Sequence, residues 1–413
     1  MSNLKEMKAA GGFGKGKILG FCFKTIIITT ITAGLFFGVD WVYGKLFPVY
    51  PWEKDANIVG SLSYINDKSF SKDFMLEQEE LSKRNHWSAP KDTRLVFRNE
   101  FHGKYFNIEP LESGSKKPYR KTINQYSQAQ EGVKKVLMLG GSTLFCIEVP
   151  DEMTVSSQLS VMLNKDGKYN IVNAGIESDT TFQELERLKL ELKSGYIPDI
   201  VIAYHGFNEI NGGVYYNDPE GDIWENIVRN RVKDYLHYLI KDGGIIKGNI
   251  YKDILRKKTR NDTRPKSAPE HLMDENNIDA LVKMARESFI KNSEEMFRLS
   301  KEYNFEYYSI IQPIAVYGNY GSENADINMI REWARINQPL FLEVFEKGYP
   351  EILKAAEELS SIGIKSYDLS DALTGKKENV FTDTCHINSV GNSKVAKAIY
   401  EVIRNDLSKN ATE

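Results

Sequence analysis

From residue 134 onward the sequence alternates between short apolar runs and longer amphipathic segments, and this alternation restricts the fold more than any other feature. The runs at 136–139 and 169–172 have the length of strands, and each is soon followed by glycine. Continuous apolar runs of this length are typical of strands that are buried on both faces. Between them, Val155, Leu159 and Leu163 share one helical face. Strand, helix and strand in this order predict parallel βαβ units.

The same alternation continues toward the C-terminus. Further strands are predicted at 200–204, 307–311 and 364–369. Thr181 and Glu184 are spaced as a capping box at the start of one helix, and apolar residues at helical spacing predict another at 388–405. Residues 213–278 break the alternation. We therefore expect an α/β domain over 131–413, with a parallel sheet and a helical insertion at 213–278 that could cover a site.

The N-terminal part contains one long apolar stretch, at 17–39, whose only internal charge is Lys24. A membrane-spanning helix needs about 20 such residues. Lysines precede the stretch, so the positive-inside rule predicts a cytoplasmic tail at 1–16, an uncleaved anchor at 17–43 and a catalytic domain that is periplasmic or extracellular. A cleaved signal peptide and a buried core helix are the alternatives.

Residues 44–130 are predicted to form a membrane-proximal segment and a small subdomain, with short strands near 95–97 and 105–108. The net charge of −3 argues against a nucleic-acid-binding protein. Three cysteines are too few for a disulfide scaffold, and no Cys/His spacing indicates zinc. No metal and no organic cofactor is predicted.

Four short segments carry the side chains that acyl transfer requires: a serine, a histidine, an acid and hydrogen-bond donors for an oxyanion. The first three follow predicted strands, and the carboxyl ends of parallel strands meet at one edge of a sheet. We therefore expect the segments to converge there. They are Gly140-Gly141-Ser142-Thr143, Asn173-Ala174-Gly175, Gly206-Phe207-Asn208-Glu209 and Asp383-Thr384-Cys385-His386.

Each candidate residue has a defined role in this interpretation. Ser142 is the nucleophile, and its amide becomes a free donor if a helix begins there. Gly175 N–H and the Asn208 side chain can donate to the same oxyanion. Asp383 stands three residues before His386, so it can orient that imidazole as the general base.

Several alternatives remain open at this level. His205 is a second candidate base, and it could also line the pocket. Asp383, His386 and His205 could instead hold a metal ion. Cys146 and Cys385 would be neighbours in such a site, either as a disulfide or as two buried thiols.

In their order and residue types, these segments resemble the SGNH (GDSL-type) hydrolase superfamily over about 133–406. The resemblance implies a three-layer α/β/α, flavodoxin-like sandwich and an oxyanion hole made by Ser142, Gly175 and Asn208. The sequence departs from the family pattern, since Gly141 replaces an aspartate and Glu209 stands where aspartate is usual. An acidic turn at 176–180 makes Glu177 and Asp179 candidates to face the substrate. The candidate pocket residues are Gly141, Thr143, His205, Glu209 and Gln312.

Residues 103–107 and 120–124 are similar to the lead-in of membrane-anchored bacterial members, which are often linked to acylated envelope glycans. This second resemblance bears only on the substrate class: with the four segments above, it implies an esterase that removes an O-acyl group, in particular O-acetyl, from a glycan or lipid-linked glycan. An O-acyltransferase that passes the acyl group to a glycan hydroxyl is the alternative, because the same acyl-enzyme would serve both reactions. A non-catalytic glycan-binding protein with the same fold is the third.

Overall fold

A computed structural model describes residues 71–82, 87–88, 94–126, 130–215, 278–318, 320, 325–375 and 379–410. The predicted anchor at 17–43 and nearly all of the predicted insertion lie outside these residues. Within them, no helix is both long enough and apolar enough to cross a bilayer.

Ten strands and nine α-helices are described. The strands are β1 (Trp87–Ser88), β2 (Phe97–Arg98), β3 (Phe101–His102), β4 (Asn107–Pro110), β5 (Pro118–Arg120), β6 (Lys134–Gly140), β7 (Tyr169–Asn173), β8 (Ile200–His205), β9 (Glu306–Ile311) and β10 (Lys365–Asp368). The helices are α1 (Lys72–Leu81), α2 (Ser142–Phe145), α3 (Val155–Leu163), α4 (Thr181–Lys193), α5 (Phe207–Ile210), α6 (Ile278–Tyr303), α7 (Ala325–Asn337), α8 (Pro339–Ser361) and α9 (Ser389–Asn410).

The described residues contain an eight-stranded sheet of order β10-β9-β8-β6-β7-β5-β4-β3. The five strands from β10 to β7 are parallel, which agrees with the prediction for the C-terminal domain. The other three are antiparallel, so the sheet as a whole is mixed. These three come from the region before residue 131 and were not predicted to join the main sheet.

The helices form two packed groups around this sheet. One contains α3 and α9, and the other contains α4, α6 and α8. Crossovers between parallel strands are right-handed, so β6-α3-β7 places α3 on one face and β7-α4-β8 places α4 on the other. Helix α4 begins one residue earlier than the predicted capping box, because Thr180 and Gln183 form the box instead of Thr181 and Glu184.

The register aligns the ends of the central strands. Gly140 at the end of β6 is opposite Tyr204 in β8, and His205 at the end of β8 is opposite Ile311 in β9. All three strands run in the same direction, so the turns that follow them leave the sheet at one edge. This edge carries the candidate site.

Candidate active site

Ser142, His386 and Asp383 form a continuous hydrogen-bonded chain. Ser142 is the first residue of α2, and it follows Gly140, the last residue of β6, and Gly141, the N-cap of the helix. Its Oγ lies 2.7 Å from Nε2 of His386, which is 244 residues later in the chain. The other ring nitrogen, Nδ1, lies 2.6 Å from Asp383 Oδ2. The structure therefore brings together the three side chains that the sequence predicted as nucleophile, base and acid.

The turn that carries Asp383 also fixes the imidazole. Asp383 Oδ1 accepts hydrogen bonds from the backbone amides of Cys385, at 2.9 Å, and His386, at 2.8 Å. Burial opposes ionisation of Asp383, but the His386 charge and these hydrogen bonds lower its pKa to about 2. The carboxylate is thus ionised at neutral pH and can stabilise an imidazolium.

The same contacts predict an unusually alkaline pH profile. Burial disfavours the charged imidazole, but the charge of Asp383, the charge of Glu148 and the hydrogen bond to Asp383 outweigh it and raise the pKa of His386 well above its ordinary value. The base must be neutral to accept the Ser142 proton, so kcat/KM should rise with pH through a pKa above about 6.5. Hydrolysis of a neutral ester, measured from pH 5 to 10, checks this. A plateau already reached at pH 6 would contradict it.

The three candidate oxyanion donors differ in the hydrogen bonds that they already make. Ser142 N–H has no partner within α2, as is general for the first residue of a helix. Asn208 Nδ2 donates to the Asp179 carbonyl at 2.8 Å, and an amide nitrogen has a second hydrogen to offer. A Cβ added at Gly141 would lie 2.2 Å from this nitrogen, so the glycine lets Asn208 approach the nucleophile's turn. Gly175 N–H donates to Asn173 Oδ1 at 3.1 Å, and an oxyanion would compete with that acceptor.

His205 lies in the core instead of beside Ser142. Its Nδ1 is 2.8 Å from Glu184 Oε2, and its Nε2 is 2.9 Å from Ser309 Oγ. His205 is 3% exposed, and both ring nitrogens have partners. The structure therefore does not place it as the base or with Asp383 and His386. Among the described residues, the group with metal-like spacing is Asp383, Cys385 and His386, where Asp383 and Ser142 already engage the imidazole.

Other candidate pocket residues lie behind the site. Thr143 Oγ1 donates to Gln312 Oε1 at 2.8 Å, and both residues are buried. Glu209 accepts the amides of Thr181 and Gly206, each at 2.8 Å, and so ties α4 to the turn after β8.

The acidic turn after β7 is also used internally. Asp179 is buried and pairs with Arg187 at 2.7 Å. Glu177 pairs with Arg98. Both carboxylates join this turn to arginines of neighbouring segments. The expectation that Glu177 and Asp179 face the substrate is therefore not supported.

Cys146 and Cys385 are free, buried thiols. Cys146 Sγ donates to the Thr143 carbonyl at 2.9 Å. Cys385 Sγ is 3.7 Å from His386 Nδ1. Burial raises the pKa of each thiol to about 12. Of the two alternatives, a disulfide or two buried thiols, the structure contains the two thiols.

Arg120, in β5, holds the segment that follows the nucleophile. It is buried and donates to the carbonyls of Phe145 and Cys146, each at 3.2 Å, and of Val149, at 2.8 Å. Its Nε is 2.7 Å from Asp151 Oδ1. Cys146, at the end of α2, has φ 57° in the left-handed region. The antiparallel edge of the sheet thus supports a strained turn beside Ser142.

An apolar cavity of about 270 Å³ adjoins the triad. Its aromatic walls have no specific sequence signal, because they come from helices whose apolar residues are typical of any buried core. A larger cleft of about 980 Å³ is lined by parts of α7, α8 and the loops after β9 and β10, and none of its described lining residues belongs to the triad. The smaller cavity is lined by Phe207, Ile330, Trp333 and Phe341 beside Asp383 and His386.

No protein-family model and no curated protein sequence matches the chain. Among solved structures it is similar to an acylhydrolase from Bacteroides fragilis, with 12% identity, a TM-score of 0.35, and coverage of 69% of this chain and 92% of that one. An acetylxylan esterase from Geobacillus stearothermophilus has 12% identity, a TM-score of 0.34, and coverage of 65% and 94%. A GDSL-like lipase from Bacteroides thetaiotaomicron has 11% identity, a TM-score of 0.36, and coverage of 69% and 93%. Nothing about the activity of this chain follows from similarities at this level.

Proposed function

We propose that this chain is an SGNH (GDSL-type) serine esterase with the three-layer α/β/α, flavodoxin-like architecture of that superfamily. One observation carries the proposal: Ser142, His386 and Asp383, from opposite ends of the domain, meet in an unbroken hydrogen-bonded chain. A nucleophile, a base and an acid that orients the base are the working parts of acyl transfer. A protein that only binds glycans would not require all three.

The proposed reaction proceeds in two steps. Ser142 Oγ attacks the ester carbonyl while His386 Nε2 takes its proton, and Asp383 stabilises the imidazolium. The oxyanion receives hydrogen bonds from the Ser142 amide and Asn208. His386 then returns the proton to the leaving alcohol, and water releases the acyl group from Ser142. These steps use no metal and no organic cofactor.

We propose an O-acyl group, in particular O-acetyl, on a glycan or lipid-linked glycan as the substrate. The cavity beside His386 supports this, because aromatic walls can pack against a sugar ring or a short acyl chain. The apolar stretch at 17–43 supports placement in the cytoplasmic membrane, with the catalytic domain periplasmic or extracellular.

A fluorophosphonate probe tests the nucleophile directly. The folded protein should react with the probe at Ser142, as located by peptide mapping, and should hydrolyse p-nitrophenyl acetate. Heat-unfolded protein should not be labelled, because activation of the serine depends on His386. Absence of labelling, or labelling at another residue, would refute the proposal.

A further inference from the structure

A second carboxyl group faces the catalytic pair from the segment after α2. Glu148 is 7% exposed, and its Oε1 lies 3.8 Å from His386 Nε2, the nitrogen that bonds Ser142. This is an ion-pair distance, longer than a hydrogen bond, and in the described part of the chain the hydrogen bond to the carboxylate comes from the backbone amide of Glu148 itself. Burying a carboxylate with so few partners is costly unless something else binds it.

We propose that Glu148 positions the water that deacylates Ser142 and thereby favours hydrolysis over transfer to an alcohol. This inference rests on the proposed esterase function. It assigns Glu148 as a catalytic residue of the second half-reaction, in contact with the incoming nucleophile.

The geometry suits a water molecule. Once Ser142 is acylated, its Oγ no longer donates to Nε2, so Nε2 can accept from an incoming hydroxyl. With Nε2 and Oε1 separated by 3.8 Å, one oxygen can lie about 2.8 Å from both. Water has two hydrogens, one for each acceptor. An alcohol has only one, which must go to Nε2 for proton transfer, so Glu148 gives it no second bond.

The atoms balance in this step. The water oxygen bonds to the acyl carbon as one water proton passes to His386 Nε2. The carbon–Oγ bond then breaks, and the same proton moves from His386 to Ser142 Oγ. The second water proton, held by Glu148 during attack, remains on the carboxylic acid product.

The charges around Glu148 are consistent with this role. Burial raises its pKa to about 7, His386 acts in the opposite direction, and Asp383 and Glu177 add to the increase. Glu177 is itself paired with Arg98. Above pH 7 Glu148 is therefore mostly the carboxylate, which accepts the stronger hydrogen bond.

Competition between water and methanol tests the proposal. The purified protein and its E148Q variant would be given p-nitrophenyl acetate at pH 8 with methanol, and acetate and methyl acetate would be quantified. Loss of a charge-assisted hydrogen bond should raise the methyl acetate to acetate ratio about tenfold in E148Q. E152Q, which changes an exposed carboxylate nearby, should keep the wild-type ratio. The ratio does not depend on how much active protein is present.

Each outcome decides a separate point. A ratio within twofold of wild type in E148Q, with p-nitrophenol still released, overturns the role of Glu148. If E148Q does not fold, E148L replaces it, since leucine removes the cost of burying a polar group and should raise the ratio at least as much. A wild-type protein that releases no p-nitrophenol refutes the esterase function instead.

Discussion

The S142A variant is expected to lose about a millionfold in kcat toward a small acyl ester, because the proposed acyl-enzyme forms on the Ser142 hydroxyl. The fold should survive. Ser142 is partly exposed, and its side chain bonds only His386 among the described residues. Alanine is also favourable in a helix. The measurement is steady-state hydrolysis of p-nitrophenyl acetate, together with circular dichroism and thermal unfolding of the same preparation.

A matched control separates loss of the nucleophile from any general effect of removing a hydroxyl. Ser194 is exposed at the end of α4, which leads into the start of β8 and so lies toward the other edge of the sheet. S194A should keep wild-type activity. An S142A protein that retains more than a few per cent of the activity would show that another residue attacks the ester.

The sequence predicts the triad because its signals are local. Ser142 and Asn208 each follow a continuous apolar strand, and Asp383 stands at a fixed offset from His386. Parallel strand direction alone then brings the first two to one edge. One long-range assumption was needed, that the turn before α9, which carries His386, also reaches that edge. The 2.7 Å contact between Ser142 Oγ and His386 Nε2 agrees with it.

What the sequence did not predict depends on contacts between distant segments. Glu148 belongs to no recognisable sequence motif. Its proposed role rests on its distance to His386, which only the fold determines. From the sequence, His205 was a plausible base. In the structure its two ring nitrogens contact Glu184 and Ser309, which are 21 and 104 residues away in the chain. Strands β3 to β5 have two to four residues each, too short for a periodic signal, and they join the sheet because β5 pairs with β7.

The D383N variant is expected to lose about ten-thousandfold in kcat while keeping its fold. Asparagine can still accept the Cys385 and His386 amides through its oxygen, so the turn is preserved. Its NH2 group then faces His386 Nδ1 and donates where the carboxylate accepted. That donation holds the imidazole proton on Nε2, and a protonated Nε2 cannot take the proton of Ser142.

The pH profile of D383N distinguishes this explanation from simple misfolding. Asp383 raises the pKa of His386, so its neutralisation should move the acid limb of the residual kcat/KM to lower pH. D371N, at an exposed aspartate twelve positions earlier, should match wild type in both rate and profile. A D383N protein within tenfold of wild-type activity would mean that Asp383 neither fixes the tautomer nor stabilises the imidazolium, and His386 would then need another acid.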